Sequence, residues 1–465
     1  MRPLEVVLLV AVLLAGAWLV GARRGARADA ALVAVVLLAA AGAQTLLEGV
    51  RWQLVPLQAA AAIAIVLAGV ALVRARPLPA QRSLGGLGVV LALATAALAW
   101  ALPVPLTPGP DPAAAVGTVT IAITDEARPE RFGPTPGRPR EIAVQLWYPA
   151  DPDIPGEPAP LVSDARLFGR AAAAEIGLPR FALDHIGMLR SGAVPGAPLD
   201  PNGPTERPLV LYSHSWKSFR AAQAGLFESL ASHGYVVAAV DHTFASLVSV
   251  FPDDRRLALD PLMLPDNGDR SEQETAKQRL LGTFAEDLEL VLDHLAGGDV
   301  EPIRDGFDLD RVALVGHGTG GGAAVLACTV IDRCGVVVTF DPWIDPLPDE
   351  VVGAGIDVPL LSVRTEEWAD GPYDPRLRRL HAANEAPEGR VEIHGTLHGD
   401  FTFVPLLSPI AAQLGLSGPT PGATTHEIVQ DWTRRFLDHH LLGRGSDPLR
   451  VPPAHPESRL EKAAE

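Results

Sequence analysis

The run from Val312 to Ala324 (VALVGHGTGGGAA) is a short apolar strand, a tight glycine turn and the small-residue start of a helix. That is the layout of the G-x-S-x-G nucleophile elbow, where small flanking residues let strand and helix backbones meet and a strained turn presents the middle side chain. The middle residue here is Gly318, so the turn presents no hydroxyl, and glycine would relieve the strain of that conformation. Removing the nucleophile of a serine hydrolase costs ~10⁶ in kcat, so ordinary ester turnover by this route is not expected. A second constellation is His214, His242, His317 and His398 with Asp241 and Asp341, all near the C-terminal ends of apolar strands. Imidazole and carboxylate together could hold zinc. The two cysteines, Cys328 and Cys334, stand six residues apart; outside the cytoplasm they could oxidise to a disulfide, and separate buried thiols are the alternative. Two cysteines alone are too few for a metal site.

The elements that must position these residues alternate. Thr118 to Thr124 and Ile142 to Tyr148 read as an antiparallel pair, the second ending in aromatics. Then come short, predominantly apolar strands of the kind buried on both faces of a parallel sheet: Leu209 to Tyr212, Val236 to Val240, Val312 to Val315, Val336 to Phe340 and Leu360 to Val363. Helices separate them. The clearest is expected to start at Ser271 with Glu274 completing a capping box, with Phe284, Leu288, Val291, Leu292 and Leu295 on one face, and to end at Gly297-Gly298. A last amphipathic helix is expected from about His426 to Leu442. The strand and helix order fits a mostly parallel sheet flanked by helices. The long apolar connection from Phe244 to Arg270 reads either as a lid, whose apolar content suits a lipid tail, or as a small packed subdomain.

The chain's 465 residues carry a net charge of −17, which hides a split. The first 102 residues hold 8 Arg against 3 acids, leaving −22 for the rest; a net-acidic domain is a poor nucleic-acid binder. Four apolar runs, Val6 to Ala22, Ala30 to Leu47, Leu54 to Val73 and Ser83 to Leu102, contain no charged residue. At ~1.5 Å per helical residue each is long enough to cross the hydrocarbon core, so residues 1–102 read as a four-helix transmembrane anchor whose partner is the lipid bilayer. Arg23, Arg24 and Arg27 flank the first loop and Arg74, Arg76 and Arg82 the third, whereas the middle loop has only Arg51. The positive-inside rule then puts both termini and the large domain on the extracytoplasmic side of the cell membrane. Residues 103–115 read as a Pro-rich spacer, 116–445 as the large domain, and 446–465 as a disordered tail.

Several ordered motifs together resemble the platelet-activating-factor acetylhydrolase family of α/β-hydrolases. They are Leu146-Trp147-Tyr148-Pro149, Pro208 to His214 (PLVLYSH), Leu230 to His242 (LASHGYVVAAVDH), the elbow, Asp341-Pro342-Trp343, and Gly395-Thr396-Leu397-His398 with Asp400-Phe401. The resemblance spans about residues 116 to 442. It implies an α/β-hydrolase fold and a lipid or short acyl ester as ligand. It also implies a Ser, Asp, His triad in that chain order, whose positions here are Gly318, Asp341 and His398. His394 competes for the base but falls within a strand.

The family's oxyanion hole uses two backbone N–H groups, which carry over to Trp216 and Thr319. Ser215 and Lys217 stand where the family has glycines, so a positive φ there would cost energy or shift the donor. Ser215, across the pocket, is the better candidate for a substitute nucleophile; Thr319 is expected to point away, and water activated by His398 and Asp341 is a third route. The family-like surroundings of His214 and His242 account for them without a metal, so no cofactor is expected. The resemblance leaves two readings open, an ester hydrolase of phospholipase A2 type or a non-catalytic lipid-binding or interaction module. No protein partner is readable.

Overall fold

A computed structural model of the chain describes residues 1–21, 27–74, 79–104, 114–298, 300–304 and 306–461. Most of the Pro-rich spacer, together with Arg23, Arg24 and Arg76, lies outside the described residues. The chain divides into two compact units.

The first unit is built on α1 (Pro3–Gly21), α2 (Arg27–Ala43), α3 (Val55–Val73) and α4 (Gln81–Ala101). All four are long and apolar enough to cross a membrane. Glycine lets α1 and α4 approach closely: a Cβ on Gly16 would lie 3.1 Å from the carbonyl oxygen of Gly85, and one on Gly85 2.8 Å from Leu19 Cβ. The apolar runs are charge-free, but α1 begins earlier than its run and includes Glu5. Its buried carboxylate accepts from Arg51 at 2.7 and 2.9 Å, while Arg51 also donates to the carbonyl of Leu102 at 2.7 Å. The chain's start, the loop before α3 and the end of α4 therefore meet at one end of the bundle. The boundary expected at residue 102 is too simple, because residues 173–186 and 407–410 also belong to this unit. Trp52 donates its indole N–H to the carbonyl of Ala182 at 3.1 Å and meets Phe181 edge to face, an anchorage between distant segments that no local pattern announces.

The second unit is a ten-stranded sheet with helices against it. Its strands, with the small hairpin β6–β7, are β1 (Val116–Pro129), β2 (Pro139–Pro149), β3 (Val194–Pro195), β4 (Arg207–Ser213), β5 (Val236–Asp241), β6 (Val248–Val250), β7 (Arg256–Ala258), β8 (Phe307–His317), β9 (Cys334–Phe340), β10 (Leu360–Thr365), β11 (Glu388–Ile393) and β12 (Ser458–Glu461). The sheet order is β12-β11-β10-β9-β8-β4-β5-β2-β1-β3. The six strands from β11 to β5 run parallel, and β2, β1 and β12 are set by antiparallel pairing. The parallel strands are buried on both faces, in keeping with their predominantly apolar runs. The helices are α5 (Ala165–Glu175), α6 (Ala224–Ser232), α7 (Arg270–Ala296), α8 (Thr319–Cys328), α9 (Asp349–Ala354), α10 (Glu366–Ala369), α11 (Asp374–Ala383) and α12 (Gly422–His440). This is the α/β-hydrolase architecture.

Two expectations are corrected, and one open choice resolves. The capping box of α7 is Asp269 with Glu272, two residues earlier than Ser271 with Glu274. The tail from 446 is structured through Glu461: β12 pairs with β11, and Glu461 meets the buried guanidinium of Arg364 at 2.8 Å and Arg390 at 3.3 Å. Charge that reads as solvated tail in sequence is there neutralising buried arginines. The connection after Phe244 folds as the β6–β7 hairpin and a single turn, with Phe244, Leu247, Val248, Val250, Phe251 and Met263 buried. It is the packed alternative, and of its large apolar residues Leu262 is the one left exposed.

Candidate active site

β8 rises to His317, the chain turns at Gly318, and α8 starts at Thr319. Gly318 holds φ 55° and ψ −117°, so the strained elbow conformation persists without the side chain it ordinarily displays. A Cβ on Gly320 would lie 2.7 Å from the carbonyl oxygen of His214 and one on Gly321 3.0 Å from Pro342 Cα, which is why this turn is glycine-rich.

The acid and base meet beside the elbow. Asp341 follows β9 and is fully buried; its carboxylate accepts from Thr365 N (2.8 Å), Thr365 Oγ1 (2.7 Å) and His398 Nδ1 (3.1 Å). With Nδ1 carrying the hydrogen toward Asp341, Nε2 of His398 is left as the proton acceptor. That nitrogen lies 3.2 Å from where a Cβ on Gly318 would stand. His398 is part-exposed, its ring stacked on Trp368 at 4.7 Å and tilted against His317 at 4.4 Å. Thr365 and Trp368 carry no motif of their own; their roles follow only from the approach of β10 and α10 to Asp341. His394 points elsewhere, half-exposed and paired with Glu392 at 3.1 Å.

The two candidate oxyanion donors also come together. Trp216 N–H points at Thr319 Oγ1, 3.4 Å away, and the N–H of Thr319, at the first position of α8, has no intrahelical acceptor. The threonine hydroxyl thus faces the Trp216 amide. Lys217 does take a positive φ of 63°, held by its N–H to Ala245 O at 3.0 Å, whereas Ser215 does not. The penalty foreseen for non-glycine residues therefore falls on Lys217, and the turn still delivers Trp216 to the site.

Of the remaining histidines, His214 and His242 are already engaged by hydrogen bonds, whereas neither ring nitrogen of buried His317 has a partner among the described residues. His214 bonds the carbonyl of Ser215 and Ser246 Oγ, each at 2.7 Å. Asp241 pairs with Arg220. His242 bonds Asp287 at 2.9 Å through Nδ1 and Ser213 Oγ at 2.8 Å through Nε2. The last set has triad-like connectivity, but all three residues are fully buried and Asp287 is also gripped by Arg140 at 2.6 and 2.7 Å. Burial pushes the Asp287 carboxyl up, yet Arg140 and His242 outweigh it and hold it well below the usual carboxylate range. Burial, opposed by Asp287, lowers His242 to about 3. This neutral, sealed line cannot meet a substrate; it ties β2, β4, β5 and α7 together beneath the site. Burial and then its neighbour His398 push His317 well below the ordinary histidine value. Among the described residues, the group that brings three ligand-type atoms within 4.8 Å is His439, His440 and Asp447, away from these residues. Cys328 and Cys334 form a disulfide joining the end of α8 to the start of β9, with Cα atoms 5.4 Å apart.

Residues 142–446 match the family profile of platelet-activating factor acetylhydrolase, isoform II. The chain is 24% identical over 325 residues to platelet-activating factor acetylhydrolase of Canis lupus familiaris, covering 64% of this chain and 71% of that protein. It is 28% identical over 258 residues to the same-named protein of Bos taurus, covering 50% and 57%. Among solved structures, the ferulic acid esterase of Streptomyces cinnamoneus superposes with a TM-score of 0.62 at 26% identity, covering 77% of this chain and 99% of that one. The chain belongs to the platelet-activating factor acetylhydrolase isoform II family of esterases.

Proposed function

We propose that the protein is a membrane-anchored carboxylic-ester hydrolase of the platelet-activating factor acetylhydrolase type, acting on short acyl esters of lipid-like alcohols. The observation that carries this reading is the Asp341–His398 pair, held by Thr365 beside an elbow that keeps its strained turn and its two main-chain donors. Such a pair can withdraw a proton from a hydroxyl or water at Nε2, and main-chain amides beside the elbow can stabilise the oxyanion that follows. The relatives named for acetyl-ester and feruloyl-ester hydrolysis supply the substrate class. The four apolar helices supply the anchor, with the hydrolase domain on the extracytoplasmic side by the arginine asymmetry of the loops.

A second reading, a non-catalytic lipid-binding or interaction module, is favoured by Gly318, which leaves the elbow without a nucleophile. Full-length protein in detergent, assayed on short-chain acyl esters beside His398→Ala, separates the two. Hydrolysis well above the variant supports the enzyme; equal background rates support the module. Membrane-impermeant labelling of a single Cys introduced at an exposed position such as Asp153 should succeed from outside intact cells, and labelling only after permeabilisation would place the domain in the cytoplasm.

A further inference from the structure

Gly318 is not surrounded by empty space. A Cβ built on it would fall inside the van der Waals envelope of Ser215 Oγ, 2.9 Å from Ser215 Cβ and 3.2 Å from His398 Nε2. The hydroxyl of Ser215 therefore occupies the room that the elbow side chain would need, and the base nitrogen borders the same space. We propose that Ser215 is the nucleophile of this enzyme, displaced from the elbow to the turn after β4. The inference rests on the ester-hydrolase reading and assigns its missing residue.

Three features support it. Ser215 and His398 are both part-exposed, so substrate can reach the pair, in contrast to the sealed Ser213–His242 line. Ser215 and Gly318 are sterically coupled: a Cβ at 318 would meet the Ser215 side chain, its Cβ at 2.9 Å, so a side chain at 318 requires the Ser215 side chain to move from where it stands. The oxyanion donors also survive the move. An elbow nucleophile at 318 would use the N–H of Thr319, the next residue, and that of Trp216 from the facing turn. A nucleophile at 215 would call on the N–H of Trp216, now the next residue, once the Thr319 hydroxyl that it faces at 3.4 Å turns aside, and on that of Thr319 from the facing turn, so the same two amides exchange positions.

In the step this implies, Ser215 Oγ forms a bond to the ester carbonyl carbon while its proton passes to His398 Nε2. The tetrahedral intermediate collapses with cleavage of the ester C–O bond, and His398 returns the proton to the departing alcohol. Water then attacks the acyl-Ser215 ester, giving its proton to His398, and the acid leaves as Ser215 Oγ takes that proton back. Neither an oxidant nor a metal is consumed.

The test uses full-length protein in detergent with a fluorophosphonate probe and a short acyl ester. Wild type should be labelled, with the adduct mapped by peptide mass spectrometry to Ser215. Ser215→Ala should lose labelling and at least ~100-fold of the hydrolysis, given that loss of a serine nucleophile costs up to ~10⁶. The exchange variant Ser215→Gly with Gly318→Ser should recover both, with the adduct now at position 318. Gly318→Ser alone should not raise activity, because its Cβ has no room while Ser215 stays. An adduct elsewhere, or Ser215→Ala retaining wild-type turnover that His398→Ala abolishes, overturns the displaced nucleophile and leaves the hydrolase reading standing. A wild type that neither labels nor hydrolyses above His398→Ala overturns both.

Discussion

Glu228 sits fully buried on α6, the helix that follows the Ser215–Trp216 turn, and offers a measurement of how this region holds together. Its Oε1 accepts from Ser191 Oγ at 2.5 Å and Gly192 N at 2.8 Å, while Oε2 has no partner among the described residues. Burial pushes its carboxyl up to about 7 from an ordinary 4.5, against the two hydrogen bonds, which pull it down. A carboxyl raised on folding holds its proton longer in the native state than in the unfolded chain, so stability is highest below pH 4.5 and falls as pH rises to 7. At 1.36 kcal/mol per unit the native state should lose about 3 kcal/mol across that window. Glu228→Gln keeps an oxygen for Ser191 and Gly192 and removes the titration, but buries an amide N–H without a partner, which costs about 1 kcal/mol. Guanidinium unfolding of the full chain in detergent at pH 5 and pH 8 should therefore show the variant about as stable as wild type at the lower pH, where about 0.8 kcal/mol of the loss has already occurred, and about 2 kcal/mol more stable at the higher. A constant difference between the two proteins at both pH values would refute the reasoning, because no buried ionisation would then be draining the wild type.

Asp341→Asn should lower hydrolysis by ~10⁴, the cost of the wrong imidazole tautomer in a triad, with the far-UV spectrum unchanged; loss of under tenfold would mean that His398 is not oriented by Asp341. Arg140→Ala removes two of the three guanidinium hydrogen bonds to buried Asp287, Arg128 keeping the third at 2.7 Å, and should destabilise the domain by about 2 to 3 kcal/mol, read as a lower guanidinium midpoint. The double variant Cys328→Ser with Cys334→Ser reopens a short loop and should cost about 2 kcal/mol on the chain-entropy account; an unchanged midpoint, together with two titratable thiols in wild type, would show that the pair is reduced in the isolated protein.

The sequence by itself determined the elements and much of their order. Unbroken apolar stretches such as Val236 to Val240 and Leu209 to Tyr212 read as strands covered on both faces, and they form β5 and β4 within a residue or two. Glycine spacing alone placed the elbow turn at Gly318, because the backbone approach there excludes any larger flanking residue. Local signals were weaker where two choices were chemically equivalent: Asp269 with Glu272 and Ser271 with Glu274 both satisfy a capping box, and the structure uses the first. What tertiary structure decided is everything that depends on groups distant in the chain. Glu461 becomes a partner for Arg364 and Arg390 only when β12 lies against β11. Thr365 becomes the clamp on Asp341 only when β10 lies beside β9. Ser215 stands 103 residues from Gly318, and composition or periodicity contains no term for the distance between them. Their contact exists because β4 and β8 are neighbours in the sheet, ending at the same level with Ser213 opposite Gly316, so the turns that follow them must share one small volume.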